Sequence, residues 1–236
     1  MYYKIANLHI KINFKDNYTK QLCKEYEIEH QNSDVCDVCV SVSEEDVKKE
    51  EAKADKEYPF GYLESLAVYR KLCNMALSFD ILLFHCSAIM VDDEVYLFTA
   101  PSGTGKSTHT KLWREYFGEK AIMINDDKPL LKFMEDGIYA YGTPWDGKHR
   151  ISTNTKGKIK GICILERSKV NTIKSVTKKD AFTMILNQTY RPDDATLMRK
   201  TLDLVDKLIA NIPIYRLECN ISENAVEVAY KGMKKG

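Results

Sequence analysis

The residues best suited to do chemistry lie at positions 100–108, where two glycines precede a lysine and a serine. Gly103 and Gly105 permit backbone turns that a Cβ atom would block, so the loop N–H groups can face an anion. Lys106 can reach the β- and γ-phosphates of a nucleotide, and the Ser107 hydroxyl can ligate Mg²⁺. This spacing predicts a phosphate-binding loop of the Walker A type. The residues expected to contact the nucleotide are Ser102, Gly103, Thr104, Gly105, Lys106, Ser107 and Thr108.

The segments on either side of this loop favour the same interpretation. Residues 95–99 read as a buried strand, and residues 108–117 read as a helix whose N-terminus favours negative charge. Ala100 replaces the first glycine of the motif, a change that many phosphate loops accept. The alternative is a chance glycine-rich turn, which the lysine, the serine and the strand–loop–helix context together disfavour.

Two adjacent carboxylates, Asp126 and Asp127, follow a short apolar strand about twenty residues beyond Lys106. In phosphate-loop enzymes an acidic residue at the end of a neighbouring strand holds Mg²⁺. One carboxylate can serve the metal while the other accepts a proton from an attacking hydroxyl. The alternative is an ordinary charged turn, which this spacing disfavours.

His85 stands in an apolar, strand-like stretch, and alone it fits a structural role as well as a functional one. Its surroundings, however, resemble a known family. The residues that carry this resemblance are Phe84, His85, Cys86, Ser87 and Ala88, then 100–108, then Asn125, Asp126 and Asp127. Together they resemble the catalytic core of HPr kinase/phosphorylase, and they are similar to the ATP-dependent phosphoenolpyruvate carboxykinases. The resemblance extends over residues 80–220.

The resemblance implies γ-phosphoryl transfer from ATP with Mg²⁺ as the metal. By this resemblance His85 lies near the transferred phosphate, Asp127 is the catalytic base, and Lys106 takes part in the transfer. Ser107 and Asp126 then hold the metal.

Two departures limit the resemblance. Residues 1–78 do not match the N-terminal domain of HPr kinase, and the chain is too short for a carboxykinase. Neither phosphorylation of HPr itself nor decarboxylation is therefore implied. We expect an α/β protein whose phosphate-loop kinase core, residues 79–236, is of the HPr kinase/phosphoenolpyruvate carboxykinase type. This core should have a mixed sheet with flanking helices, and residues 1–78 should form an N-terminal α+β extension packed on it.

A second loop, residues 141–150, is dense in glycine, proline, tryptophan and cations. Lys148 and Arg150 can clamp a phosphate or an acidic substrate, with arginine favouring a bidentate fork. The alternative is a surface loop with Trp145 packed beneath it, and the sequence leaves both open. Arg191 is a weaker candidate of the same kind.

Residues 177–180 resemble the guanine-reading motif of GTPases. They also fit a helix capping box, with Thr177 as the cap and Asp180 three residues later. No switch motif of the GTPase kind follows the phosphate loop, so we favour the helix cap and expect ATP rather than GTP.

Hydrophobic periodicity predicts the elements that must position these residues. Strands are expected over 5–14, 34–42, 81–90, 94–99, 121–124, 130–133, 137–141, 158–166 and 214–219. Helices are expected over 16–26, 44–57, 62–79, 108–117, 177–190, 193–212 and 222–233. Asp92 and Asp93 are expected to form a tight turn between two strands.

Composition excludes several classes of protein. With 44% hydrophobic residues the chain is too apolar for a disordered protein, and 35 basic residues against 34 acidic ones disfavour nucleic acid as the default partner. No apolar run is long enough to span a membrane, and the first residues do not form a signal peptide. We therefore expect a cytoplasmic protein with reduced cysteines.

Cys36 and Cys39 form a Cys-x-x-Cys motif within a β-rich run. Metal binding or redox chemistry would need a second ligand pair or a thioredoxin-like setting, and the sequence shows neither. The favoured interpretation is that both cysteines pack as small hydrophobes.

The sequence thus favours an ATP-dependent phosphotransferase acting on a hydroxyl group of a peptide, a protein or a small molecule. The alternatives are a non-enzymatic nucleotide-binding switch and a small-metabolite kinase. A homo-oligomer is left open. A base beside the metal, supplied by the acidic pair together with His85, favours the enzyme over the switch.

Overall fold

The computed structural model describes residues 1–29 and 36–234. The chain divides into two compact units, Met1–Phe79 and Asp80–Gly236. The strands are β1 (Tyr2–Ile5), β2 (Leu8–Asn13), β3 (Val38–Ser41), β4 (Ile81–Leu83), β5 (Ser87–Val91), β6 (Glu94–Thr99), β7 (Ile122–Asn125), β8 (Leu130–Met134), β9 (Gly137–Tyr141), β10 (Lys156–Arg167), β11 (Thr172–Ser175) and β12 (Ile214–Cys219). The α-helices are α1 (Asn17–Leu22), α2 (Glu44–Glu51), α3 (Phe60–Ala76), α4 (Lys106–Phe117), α5 (Lys178–Asn187), α6 (Ala195–Asn211) and α7 (Glu223–Lys234).

The first unit contains a three-stranded sheet in the order β1-β2-β3. β1 and β2 form an antiparallel hairpin whose turn residues, Ala6 and Asn7, both have positive φ angles, while β2 and β3 are parallel. The strand expected over residues 5–14 is confirmed for Leu8–Asn13, but its first residues are wrong, because the chain turns at Ala6 and Asn7. Ala6 is a poor residue for a left-handed turn, so the local sequence gave no hairpin signal.

Buried carboxylates link the helices of the first unit. Glu64 of α3 accepts hydrogen bonds from the backbone N–H groups of Lys15 (2.6 Å) and Asp16 (3.0 Å), just before α1. Glu50 of α2 is buried and pairs with the guanidinium of Arg70 on α3. Each buried acid thus has the partner that its desolvation requires.

The second unit is built on a nine-stranded mixed sheet. Its main path runs β4-β8-β9-β10-β6-β5-β7, and β12 pairs with both β10 and β11. β10 is long enough to pair with β9 through its first residues and with β12 through its last ones, while β6 occupies its other edge. The structure thus confirms the expected mixed sheet with flanking helices.

Strand directions decide which loops meet. β6, β10 and β12 are mutually parallel, and β5 is antiparallel to both β6 and β7. The carboxyl ends of β6, β7, β10 and β12 and the first residue of β5 therefore share one edge of the sheet. Open α/β sheets bind ligands at such an edge.

Helix α4 packs one face against the sheet and α7 through an aromatic cluster. Trp113 is fully buried, and its ring lies 5.0 Å from Tyr96, 5.1 Å from Phe98 and 5.8 Å from Tyr230, centroid to centroid. This packing fixes the direction in which the N-terminus of α4 points. In the described ranges, the helices lack the length and apolar character that a membrane crossing would require.

Several expected elements differ from the structure. Residues 81–90 form two strands rather than one, because Phe84 makes an isolated bridge to Thr189 before β5 begins. α2 ends at Glu51, and β11 was not anticipated. For the strand expected over 34–42, residues 34 and 35 lie outside the described part, and β3 covers 38–41.

The structure confirms the helix cap expected at Thr177. Thr177 caps α5, with its Oγ1 accepting the backbone N–H of Asp180 at 3.3 Å.

The expectation that both cysteines of the Cys-x-x-Cys motif pack as core hydrophobes is wrong for Cys39. In β3 the side chains of Val38 and Val40 are buried, whereas Cys39 is exposed on the opposite face.

Candidate functional site

The loop after β6 has the backbone that its glycines were expected to permit. Gly103 has φ +78° and Gly105 has φ +124°, and Gly105 directly precedes α4. A Cβ atom at either position would meet nothing within 4 Å. The backbone conformation, rather than lack of space, therefore requires glycine at both positions.

Lys106 begins α4 and is buried, with 9% of its surface exposed. Its Nζ donates to the carbonyl of Ala100 at 3.0 Å, which folds the side chain back across the loop. Burial lowers the pKa of Lys106, while the negative charges of Asp127 and Asp126 oppose that shift. The lysine thus lies within electrostatic reach of both carboxylates.

Arg167, the last residue of β10, binds two backbone carbonyls of the loop over residues 100–108. Its Nε donates to the carbonyl of Thr104 at 3.0 Å and its Nη2 to that of Gly103 at 2.5 Å. In a trans peptide unit the N–H points away from the carbonyl, so the N–H of Gly105 faces away from Arg167. No local pattern signals this role, because the partners are more than 60 residues apart in sequence.

Asn125 shapes the turn that carries the acidic pair. Its Oδ1 accepts the backbone N–H groups of Asp127 (2.9 Å) and Lys128 (2.6 Å). Its Nδ2 donates to Thr143 Oγ1 at 3.1 Å, and that hydroxyl donates to the Lys128 carbonyl at 2.9 Å. Asn125 therefore joins the turn to the loop over residues 142–150.

Asp126 is 5% exposed and accepts a hydrogen bond from the Ser87 hydroxyl to its Oδ1 at 2.7 Å. Gly147 approaches the other side of this carboxylate, where an added Cβ would lie 3.3 Å from Oδ2. Ser87 belongs to the segment that carries the family resemblance, but the sequence predicts no role for it. The structure gives it one, since it orients Asp126.

Asp127 lies between two groups that favour its ionised form. Its Oδ1 is 3.1 Å from Nε2 of His85, and its Oδ2 contacts the ammonium of Lys128. Burial would raise the pKa of Asp127, but His85 and Lys128 outweigh it and lower that pKa to about 2. Asp127 is therefore a carboxylate at neutral pH.

His85 is fixed from three directions. Its backbone N–H donates to the Gln188 carbonyl at 2.7 Å, and its own carbonyl accepts from Thr99 Oγ1 at 3.0 Å. Its Nδ1 lies 3.0 Å from Gln188 Oε1, and its Nε2 faces Asp127. Oxygen atoms therefore lie within hydrogen-bond distance of both ring nitrogens of His85. Gln188 was not expected from sequence.

The loop over residues 142–150 reaches the acidic pair through its backbone. Trp145 is buried, whereas the side chains of Lys148 and Arg150 are exposed. Burial raises the pKa of Asp146, which accepts the N–H of Ser152 at 3.3 Å. The loop is therefore anchored at the site, with its cationic side chains turned to solvent.

The other expected residues lie around the loop and near His85. Ser102, Ser107 and Thr108 are exposed, the last two in the first turn of α4. Arg191 is also exposed, directly after Tyr190, whose N–H donates to the Leu83 carbonyl at 3.1 Å. His85 contacts Asp127, and Lys106 lies within electrostatic reach of both Asp126 and Asp127.

A cavity of about 330 Å³ adjoins the loop at the carboxyl ends of β10 and β12. Its lining includes Thr104, Thr108, His109, Leu112, Arg167 and Asn220. The Trp113 indole N–H donates to His109 Nε2 at 3.0 Å, and burial lowers the pKa of His109 to about 4. The neutral ring therefore carries its proton on Nδ1.

Comparisons with known proteins add a weak relationship. No protein-family model and no curated protein matches the chain. Among solved structures, the chain is similar to the Hpr(Ser) kinase/phosphatase from Coxiella burnetii, with 11% sequence identity and a TM-score of 0.38. The match covers 65% of this chain and 97% of that chain. At this identity and TM-score the relationship is weak and concerns the fold alone.

Proposed function

We propose that this protein binds Mg·ATP at residues 100–108 and transfers the γ-phosphoryl group to a hydroxyl acceptor. The observation that carries the proposal is the glycine-shaped loop that ends at Lys106, the first residue of α4, within electrostatic reach of Asp126 and Asp127. A helix N-terminus, a glycine-shaped loop and a lysine form a site for a phosphate chain, and paired carboxylates beside it suit phosphoryl transfer.

The nucleoside is proposed to enter the cavity beside the phosphate loop. The 330 Å³ cavity begins at Thr104 and Gly105, so a nucleotide with its phosphates on the loop can extend into it. Leu112 and Leu165 supply apolar contact for a base, and His109 and Asn220 supply polar groups. The Thr177 cap removes the main argument for a guanine-specific site, so ATP is the proposed nucleotide.

The donors at the site fit Mg²⁺. Asp126 offers a carboxylate oriented by Ser87, and Ser107 offers a hydroxyl in the first turn of α4. Within the described residues, no group of three or more His, Cys, Asp or Glu side chains is placed to hold a metal ion. That suits Mg²⁺, which is often bound through one or two protein groups, water and substrate phosphates. When bound, the metal would neutralise charge developing on the phosphates.

Asp127 is the proposed acceptor of the hydroxyl proton. During transfer the acceptor oxygen bonds to the γ-phosphorus, the bond from that phosphorus to the β–γ bridging oxygen breaks, and the hydroxyl proton passes to Asp127. A carboxylate with a pKa near 2 is a weak base. Its main contribution is therefore to orient the hydroxyl, which suffices because phosphoryl transfer depends chiefly on positioning and charge stabilisation.

The acceptor is proposed to approach from the side of residues 142–150. Lys148 and Arg150 are exposed on a loop whose backbone contacts the turn of the acidic pair. These cations, with Arg191 as a further candidate, suit an acceptor or transferred group that carries negative charge. A Ser or Thr of a peptide or protein and a small-molecule hydroxyl are both compatible with an open site of this kind.

The test is transfer of label from [γ-³²P]ATP, to water and to a mixture of Ser- and Thr-containing peptides. Asp127→Asn should retain Mg·ATP binding but lose turnover by about 10²-fold or more, because a neutral amide neither orients the hydroxyl as the carboxylate does nor takes up its proton. Asp136→Asn is the matched control, because Asp136 lies in an exposed turn, where its carboxylate accepts a hydrogen bond from the Tyr139 hydroxyl. Near-normal turnover by Asp127→Asn would remove Asp127 from the mechanism. Binding without any turnover by the wild type would favour the nucleotide-binding switch.

A further inference from the structure

Two cysteines of the first unit lie side by side at its surface. The Sγ atoms of Cys36 and Cys39 are 3.2 Å apart, within the distance of a thiol–thiol hydrogen bond. Cys39 is exposed and Cys36 is partly exposed. Because β3 alternates its side chains, Cys39 projects from the face opposite to Val38 and Val40. The pair therefore contributes little to the core.

The backbone holds this pair in place. Asp37, between the cysteines, accepts the N–H of His9 through its Oδ2 at 2.7 Å and donates its own N–H to the His9 carbonyl at 2.9 Å. From Val38 onward β3 is paired in parallel with β2, where Lys11 is the register partner of Cys39. Hydrogen bonds of the backbone at Asp37 and in β3 thus hold the two cysteines close to each other.

We propose that Cys36 and Cys39 form a reversible intrachain disulfide by exchange with a small-molecule disulfide such as oxidised glutathione. The surrounding residues favour this chemistry over metal binding, since in the described part of the chain no third His, Cys, Asp or Glu joins the pair to hold a metal ion. The two sulfurs need move only about 1 Å to reach the length of a disulfide bond.

The exchange proceeds in two balanced steps. The exposed Cys39 loses its proton to solvent, and its thiolate attacks the oxidant, which forms a mixed disulfide and releases one thiolate that takes up a proton. Cys36 then loses its proton to solvent, and its thiolate attacks Cys39 Sγ and displaces the second small thiolate, which is protonated in turn. The two cysteines lose two electrons and two protons, and the oxidant gains them.

The other cysteines are poorly placed to compete. Cys23, Cys73, Cys86 and Cys163 are buried and Cys219 is only partly exposed, whereas Cys39 is exposed. Buried thiols react slowly because solvent oxidants cannot reach them and the thiolate is disfavoured. Oxidation of the folded protein should therefore stop at one disulfide.

The test is oxidation of the folded, full-length chain with oxidised glutathione in mildly alkaline buffer, which favours thiolates. Free thiols are then blocked, and the protein is analysed by mass spectrometry before and after reduction. We expect two of the seven cysteines to be lost as free thiols in most molecules, with one peptide cross-link joining Cys36 to Cys39. Dithiothreitol should restore all seven thiols.

Three variants sharpen the result. Cys36→Ser should stop at a mixed disulfide on Cys39, because the resolving thiol is absent, whereas Cys219→Ser should still form the cross-link. Cys39→Ser should react more slowly than Cys36→Ser, because the remaining thiol is less exposed. The proposal is overturned if both cysteines stay free in the wild type, or if the disulfide joins other cysteines or two chains.

Discussion

Asp127 is a residue whose charge depends on its neighbours. His85 and Lys128 hold its pKa at about 2, against the effect of burial. Ser87 holds Asp126 in a different way, through a single buried hydrogen bond. The two adjacent acids therefore have different surroundings, and the structure gives a physical basis for different roles.

The low pKa of Asp127 predicts a specific acid response. A depressed carboxyl pKa stabilises the folded state above the unfolded-state value near 4, and this stability is lost as the pH falls through about 2. Asn cannot ionise. The unfolding free energy of the wild type should therefore fall, relative to that of Asp127→Asn, by about 2 kcal/mol between pH 4 and pH 2. Urea unfolding at a series of pH values measures it. A difference in unfolding free energy that stays constant between pH 4 and pH 2 would contradict the ion pairing of Asp127.

Elements that combine strong periodicity with clear turn signals were predictable. The strand expected over 94–99 agrees with β6 to the residue, and so does the strand over 214–219 with β12. The tight turn at Asp92 and Asp93 is also confirmed, with φ angles of +52° and +62°. The break within residues 81–90 could not be predicted, because the stretch is apolar apart from His85 and Ser87 and its periodicity does not reveal where one strand ends.

The loop over residues 142–150 depends on one glycine. A Cβ at Gly142 would lie 2.1 Å from the Thr153 carbonyl oxygen and 2.9 Å from that of Ile124. Both are backbone atoms that cannot rotate aside. Gly142→Ala should therefore lower the unfolding free energy by about 1–3 kcal/mol, as overpacking does. Gly147→Ala, with its nearest contact at 3.3 Å, should lose less. Equal stability of Gly142→Ala and wild type in thermal or urea unfolding would contradict this packing.

The exposed cations of the same loop are expected to act on the acceptor. Lys148→Ala and Arg150→Ala should raise the acceptor KM, lower kcat, or both, while Mg·ATP affinity stays near the wild-type value. Lys179→Ala, an exposed cation on α5, is the matched control. Steady-state kinetics with a peptide that accepts label measures the effect. Unchanged rates in both loop variants would make the loop purely structural.

At the scale of the whole molecule, strand order assembles the site. Five chain segments reach one edge of the sheet, and contacts such as His85 with Gln188 and Arg167 with Gly103 join residues far apart in sequence. The sequence indicated the residue types of the loop and the acidic pair. The sequence could not indicate the hydrogen bonds that Gln188, Arg167 and Asn125 make at the site, because these contacts depend on the topology and leave no local sequence pattern.

Calorimetric titration of Mg·ATP tests the central claim most directly, because every proposed step begins with the phosphate chain on residues 100–108. The wild type should bind, and Lys106→Ala should bind at least about tenfold more weakly, a loss of about 1.4 kcal/mol. Lys111→Ala should bind as the wild type does, since Lys111 lies on the same helix but is exposed and pairs with Glu115. Absence of Mg·ATP binding by the wild type, or equal affinity of Lys106→Ala and wild type, would contradict the account.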